Sequence, residues 1–77
     1  MEQLLEYIIK EITGEAPASI EKSEEGEVIN FIVTVDKAHM GTLIGKNGRM
    51  INAIRTLART KAGKENLRIN VELKERG

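Results

Sequence analysis

The residues with the clearest chemical potential in this 77-residue chain are Gly45-Lys46-Asn47-Gly48. Glycine at both ends lets a backbone turn sharply and lets a ligand approach without meeting a β-carbon. The four residues run straight into a helical pattern. Unpaired N–H groups and the positive dipole end of a helix N-terminus favour an anion there by about 0.3–1 kcal/mol. Lys46 and Arg49 add full positive charges at the same place. The chemistry this suits is a grip on phosphate, above all on a phosphodiester backbone held without regard to base identity. Two familiar phosphate loops fail on spacing. A Walker loop needs one more residue between its glycines than the three that separate Gly41 from Gly45, and a serine or threonine where Asn47 follows Lys46. The dinucleotide fingerprint Gly-x-Gly-x-x-Gly is not supplied by Gly41, Gly45 and Gly48. A plain helix–helix corner with a tight Asn-Gly turn accounts for the same four residues equally well, so the flanking chain has to decide.

Other chemistry finds little material. There is no cysteine, hence no disulfide framework and no thiolate metal site. His39 is the only histidine and has no predictable acid or nucleophile as a partner. An imidazole in that setting is far more often a surface or half-buried side chain than a general base. The acids fall where they form a solvated face rather than a pocket pair. No catalytic residue, metal ligand or cofactor is expected, and the chain reads as a binding protein rather than an enzyme.

Charge sharpens the reading of the loop. The formal net charge is zero, but it is divided along the chain. Residues 1–36 hold nine acids against two bases, a balance of −7. Residues 37–68 hold eight bases (Lys37, Lys46, Arg49, Arg55, Arg59, Lys61, Lys64, Arg68) against the one acid Glu65, a balance of +7. A region of that kind attracts phosphate while the rest of the molecule limits indiscriminate binding.

The elements that must position the loop can be read from periodicity. Leu4, Leu5, Ile8, Ile9 and Ile12 give residues 2–13 one apolar face, and Gly14 is placed to end that helix. Residues 18–24 read as a polar strand at a sheet edge, followed by a turn at Glu25-Gly26. Val28 to Val35 is β-branched almost throughout and long enough to lie inside a sheet. Asp36 suits the N-cap of a short helix over residues 37–44, with Met40, Leu43 and Ile44 on its apolar face. A second helix from Gly48 or Arg49 to about Ala62 places Met50, Ile51, Ile54, Leu57 and Ala58 on its buried stripe, and Gly63 is placed to close it. Leu67 to Leu73 alternates as a half-buried strand, and Lys74-Glu75-Arg76-Gly77 reads as a frayed tail. The sum is one α+β domain over residues 1–77, in the order α-β-β-α-α-β, with helices on one face of a three-stranded sheet.

The stretch Leu43-Ile44-Gly45-Lys46-Asn47-Gly48-Arg49-Met50-Ile51 closely resembles the signature of the KH domain: an apolar pair, a Gly-x-x-Gly loop and a spaced isoleucine. The element order is similar to the type II, bacterial form of that fold, so the resemblance covers nearly the whole chain. It looks like the small bacterial proteins that consist of a single KH domain. The resemblance implies a single-stranded RNA ligand, with the loop clamping the backbone of about four nucleotides. The bases would lie in a groove between the two helices and a strand. Carried onto this chain, Gly45, Lys46, Asn47 and Gly48 would grip phosphates and Arg49 would reinforce them. Ile44 and Ile51 would line the groove floor. Ile54 would be a third member, although helical spacing alone also places it in the core. Arg55 and Arg59, four apart on one helix face, would extend the basic rim or stand as plain solvated arginines.

The aromatic content agrees with this mode. Tyr7 and Phe31 are the only aromatics, one on the first helix and one in the buried strand, so the stacking platforms of RRM and OB-fold proteins are missing. Alternatives from other classes are a protein–protein interaction or dimerisation module, a single-stranded DNA binder and a helix-turn-helix DNA reader. The family resemblance further implies pairing, as a homodimer or with a larger KH-containing protein, and a role as RNA chaperone or post-transcriptional regulator. The charged first residues do not read as a signal peptide, and no apolar run approaches the ~20 residues of a membrane span, so the expected location is the cytoplasm.

Overall fold

Alternation along Val28–Asp36 organises the molecule. In the computed structural model, which describes residues 1–76, this segment is the central strand β2. Before it come helix α1 (Glu2–Thr13) and strand β1 (Ser19–Glu25). After it come helix α2 (Lys37–Ile44), a single turn over Lys46–Gly48, helix α3 (Arg49–Lys64) and strand β3 (Arg68–Arg76). The order α-β-β-α-α-β is the one the sequence predicts, and it is the arrangement of a type II KH fold.

The sheet order is β1-β2-β3. β1 pairs antiparallel with β2 across the two-residue turn Gly26-Glu27, from Glu25↔Val28 to Ser19↔Thr34. β2 and β3 are parallel, from Val28↔Arg68 to Asp36↔Arg76. A parallel pair needs a long crossover, and α2, the turn and α3 supply it. Period-two alternation then sorts the side chains. Phe31, Val33 and Val35 of β2 are buried with Ile69 and Val71 of β3 against Leu5, Ile8 and Ile9 of α1, Leu43 of α2 and Ile51, Ile54, Ala58 and Ala62 of α3. Full burial of an aliphatic or aromatic side chain contributes about 1.5–3 kcal/mol, so this one cluster carries most of the fold. The opposite face of the sheet stays polar, with Asn70 Nδ2 donating to Asn30 Oδ1 at 3.2 Å.

Several expectations are corrected. The residues Lys74, Glu75 and Arg76 are not frayed. They extend β3 alongside Thr34, Val35 and Asp36, and Arg76 Nη2 lies 2.9 Å from Asp36 Oδ1. Parallel register, invisible in the local sequence, gives those polar residues a partner; Gly77 lies outside the described residues. Asp36 stands at the N-cap of α2 but makes no side-chain cap bond, because its carboxylate faces Arg76 instead. Gly63 does not end α3, which runs on to Lys64. The left-handed residue is Asn66, at φ +59°. Leu67 N–H donates to Ala62 O at 2.9 Å and Asn66 N–H to Gly63 O at 3.1 Å, the bond pair of a Schellman cap with asparagine in the left-handed place. On α3, Met50 and Leu57 are exposed rather than buried, and Ala62 takes a place in the core. Small residues Ala58 and Ala62 let α3 lie close to the sheet, which turns the bulkier Leu57 outward.

Candidate nucleic-acid interface

The loop between α2 and α3 is built from unusual backbone. Gly45 ends α2 at φ +75°, ψ 176°, a region open essentially to glycine alone. Its N–H closes α2 on Gly41 O at 2.9 Å. Asn47 (φ 57°, ψ 29°) and Gly48 (φ 73°, ψ 13°) are both left-handed, and Arg49 N–H returns to Lys46 O. Those are the dihedrals and closing bond of a mirror-image type I′ turn, for which Asn-Gly is the preferred pair. The two glycines differ in what they do. A β-carbon on Gly45 would sit 2.7 Å from Met50 Cβ and 2.8 Å from Met50 N, so the first turn of α3 is packed directly on it. A β-carbon on Gly48 would meet only Asn52 Nδ2, at 4.0 Å. Gly45 allows the close approach; Gly48 supplies only the turn.

No side chain caps the N-terminus of α3, and its first turn contains no acid. The leading N–H groups are therefore left for an outside acceptor. Lys46, Asn47 and Arg49 are exposed around them, and neither Lys46 nor Arg49 is in an ion pair among the described residues. The division of charge along the chain also becomes one across the molecule. β1, with Glu21, Glu24 and Glu25, lies at the sheet edge away from β3, with β2 between them.

The remaining residues named from the sequence separate into surface and support. Ile44, at the end of α2, is 39% exposed. Ile51 and Ile54 are core residues, 7% and 2% exposed. Ile54 therefore has no contact face, as helical spacing alone allowed, and Ile51 retains only an edge. Arg59 is exposed on α3. Arg55 is neither a free rim cation nor a solvated side chain: it is half-buried, and its Nε donates to Val71 O at 3.0 Å.

A profile of the KhpA/KhpB KH domain matches residues 2–73 of this sequence, nearly its whole length and all of the elements that hold the loop. The chain belongs to the KhpA/KhpB KH-domain family. The protein called RNA-binding protein KhpA in Chlamydia trachomatis serovar D is 36% identical over 76 residues, covering 97% of each chain. The KhpA of Clostridium acetobutylicum is 40% identical over 75 residues, covering 95% of this chain and 99% of that one. The KhpA of Listeria monocytogenes serovar 1/2a is 33% identical over 76 residues, covering 97% of this chain and all of that one. No solved structure gives a significant match.

Within this KhpA/KhpB-type domain, the Arg55–Val71 bond is the feature that sequence reasoning missed. It joins residues 16 apart and depends on β3 being an edge strand, for which the sequence carries no local signal. A second constellation also comes from the tertiary structure. Glu15, Asp36 and His39 bring one ligand atom each within 4.8 Å of one another. Asp36 is already neutralised by Arg76, and Glu15 is exposed. Among the described residues no helix is long and apolar enough to cross a membrane.

Proposed function

We propose that this chain is a single-stranded RNA-binding protein that holds about four nucleotides by their backbone at the Gly45–Gly48 loop. The observation that carries the reading is the loop itself. It is a glycine-bounded type I′ turn opening an uncapped helix N-terminus, with the unpaired cations Lys46 and Arg49 beside it. Relatives that match over nearly the full chain bear the name RNA-binding protein, which supports RNA over DNA as the ligand. In this reading the phosphates contact Lys46, Asn47 and the backbone of Gly45 and Gly48, and Arg49 reinforces the grip. The bases enter the groove between α2, α3 and the open edge of β3. Ile44 offers them an apolar surface, Ile51 and Ile54 hold its floor from within the core, and Arg59 extends the cationic rim. The sheet's outer face is a poor rival surface. Its residues include Glu21, Glu25 and Glu72 and no aromatic, so it repels phosphate and offers no stacking platform. A backbone grip carries little sequence information, which suits an RNA chaperone or a post-transcriptional regulator of broad range. The domain performs binding and no catalysis.

Replacing Lys46 and Asn47 together with aspartate tests the assignment. RNA binding in fluorescence anisotropy should be lost while the circular-dichroism melt stays where it was, since both side chains are exposed. Retained binding would remove the loop as the site, and tighter binding of DNA than of RNA oligomers by the unaltered protein would favour single-stranded DNA as ligand.

One further surface favours self-association. Tyr7 is 64% and Leu57 57% exposed, and with Leu4 and Ile8 they line an apolar groove between α1 and α3. A two-fold contact would set the acidic α1 of one copy against Lys61 and Lys64 of the other. Pairing of two weak sites would raise avidity for a longer RNA. A larger KH-containing protein occupying the same face is the other outcome an association experiment would reveal.

A further inference from the structure

Arg55 is an unneutralised cation held half inside the molecule. Its Nε is committed to the Val71 carbonyl at 3.0 Å, and among the described residues it makes no ion pair. Two structural facts make this more than a strut between α3 and β3. First, β3 is an edge strand with β2 on one side only, and Arg55 reaches its carbonyl from α3, the helix that begins at the phosphate-gripping loop. Six residues separate Arg55 from Arg49, about 9 Å along the helix axis at about 1.5 Å per residue. That lies within a four-nucleotide segment anchored at the loop. Second, the bond fixes the guanidinium plane. With Nε spent, the two terminal amino groups remain as a parallel pair of donors facing away from the bond, and guanidinium can accept nothing.

From this we infer that Arg55 is a base-reading residue, selecting at one nucleotide position a base that presents two adjacent acceptors. Guanine does so with N7 and O6, and cytosine with N3 and O2. Adenine and uracil place a donor next to each acceptor on those edges, so they can satisfy only one of the two amino groups. The half-buried position strengthens the choice, because a cation partly removed from water gains most from a partner that fills both donors. The loop would supply affinity without sequence information, and Arg55 would supply selectivity. This inference rests on the RNA-binding reading above and adds to it the identity of the base.

The test uses the intact protein and five-nucleotide uridine RNAs carrying a single A, C or G at each position in turn, titrated by anisotropy at low salt. A bidentate pair supplies between about 5-fold and about 150-fold discrimination, so one position should favour G or C over A and U by a factor in that range. In R55K the charge is kept but the fork is lost. The preference should collapse towards unity while affinity for the all-uridine RNA changes little. R55Q retains a donor for Val71 and serves the same comparison if R55K folds poorly. An unaltered preference in these variants, or an equal loss on all the RNAs, would overturn the inference and leave Arg55 as a strut or a phosphate contact. Flat preference in the unaltered protein, with binding that still depends on Lys46, would overturn it while leaving the RNA reading intact. Absence of binding to every oligomer would overturn both.

Discussion

Gly45→Ala and Gly48→Ala remove the same two hydrogens from the two ends of one loop, yet the structure gives them very different costs. At Gly48 the left-handed conformation (φ 73°, ψ 13°) is the only obstacle, because the new β-carbon would have 4.0 Å of clearance from Asn52. Left-handed backbone costs a non-glycine residue about 1–2 kcal/mol. The stiffer unfolded chain returns about 0.4–1 kcal/mol of that, leaving a net loss near 1 kcal/mol. At Gly45 the dihedrals φ 75°, ψ 176° lie in the region reserved for glycine, which costs about 1–3 kcal/mol. The β-carbon would also meet Met50 Cβ at 2.7 Å and Met50 N at 2.8 Å. One of those atoms is backbone at the start of α3, so relief requires moving the helix, an overpacking cost of about 1–3 kcal/mol more. The expected net loss for Gly45→Ala is therefore about 2–5 kcal/mol, a large part of what a domain of this size has. Urea denaturation followed by circular dichroism measures both variants. For a domain of this size each kcal/mol moves the melting temperature by roughly 4–8 °C, so Gly48→Ala should fall by about that step and Gly45→Ala by at least twice as much. Equal losses, or a Gly48→Ala variant weaker than Gly45→Ala, would refute the argument that Met50 packs on the Gly45 backbone.

The remaining expectations concern the ligand, the dimer and the helix cap. With about four phosphate contacts at a single-strand slope of about −0.7 each, log K for RNA should drop by about 2.8 per decade of salt, and a flat response would place the contact away from the basic segment. Leu57→Glu, at a site already 57% exposed, should leave the melt of the monomer unchanged while shifting light-scattering mass from dimer to monomer; an unchanged mass distribution would clear the α1–α3 face of that role. Asn66→Ala should cost about 1 kcal/mol and Asn66→Gly nothing, because the Schellman position holds φ +59°. Equal effects of the two substitutions would mean that the left-handed cap is not what the asparagine supplies.

What the sequence determined by itself was everything carried by local periodicity and backbone chemistry. The alternation of Val28 to Val35, the apolar stripe of α1 and the glycine punctuation at positions 14, 26 and 45 gave the element order and the loop, because each signal acts within a few residues of where it is read. The Gly45–Gly48 motif was legible for the same reason: its dihedrals are dictated by its own residue types. Only the tertiary structure decided matters that depend on which strand neighbours which. Lys74 to Arg76 look like a polar tail until parallel register lays them beside Thr34 to Asp36. Gly63 looks like a stop until the helix is seen to close one turn of chain later on Asn66. Leu57 fits a buried stripe until Ala58 and Ala62 take the place against the sheet. Arg55 is one more surface arginine until β3 becomes an edge and turns the Val71 carbonyl towards it. In every such case the partner lies far away in sequence. No local propensity encodes it, and its identity is settled only when the core closes and fixes the register of the sheet.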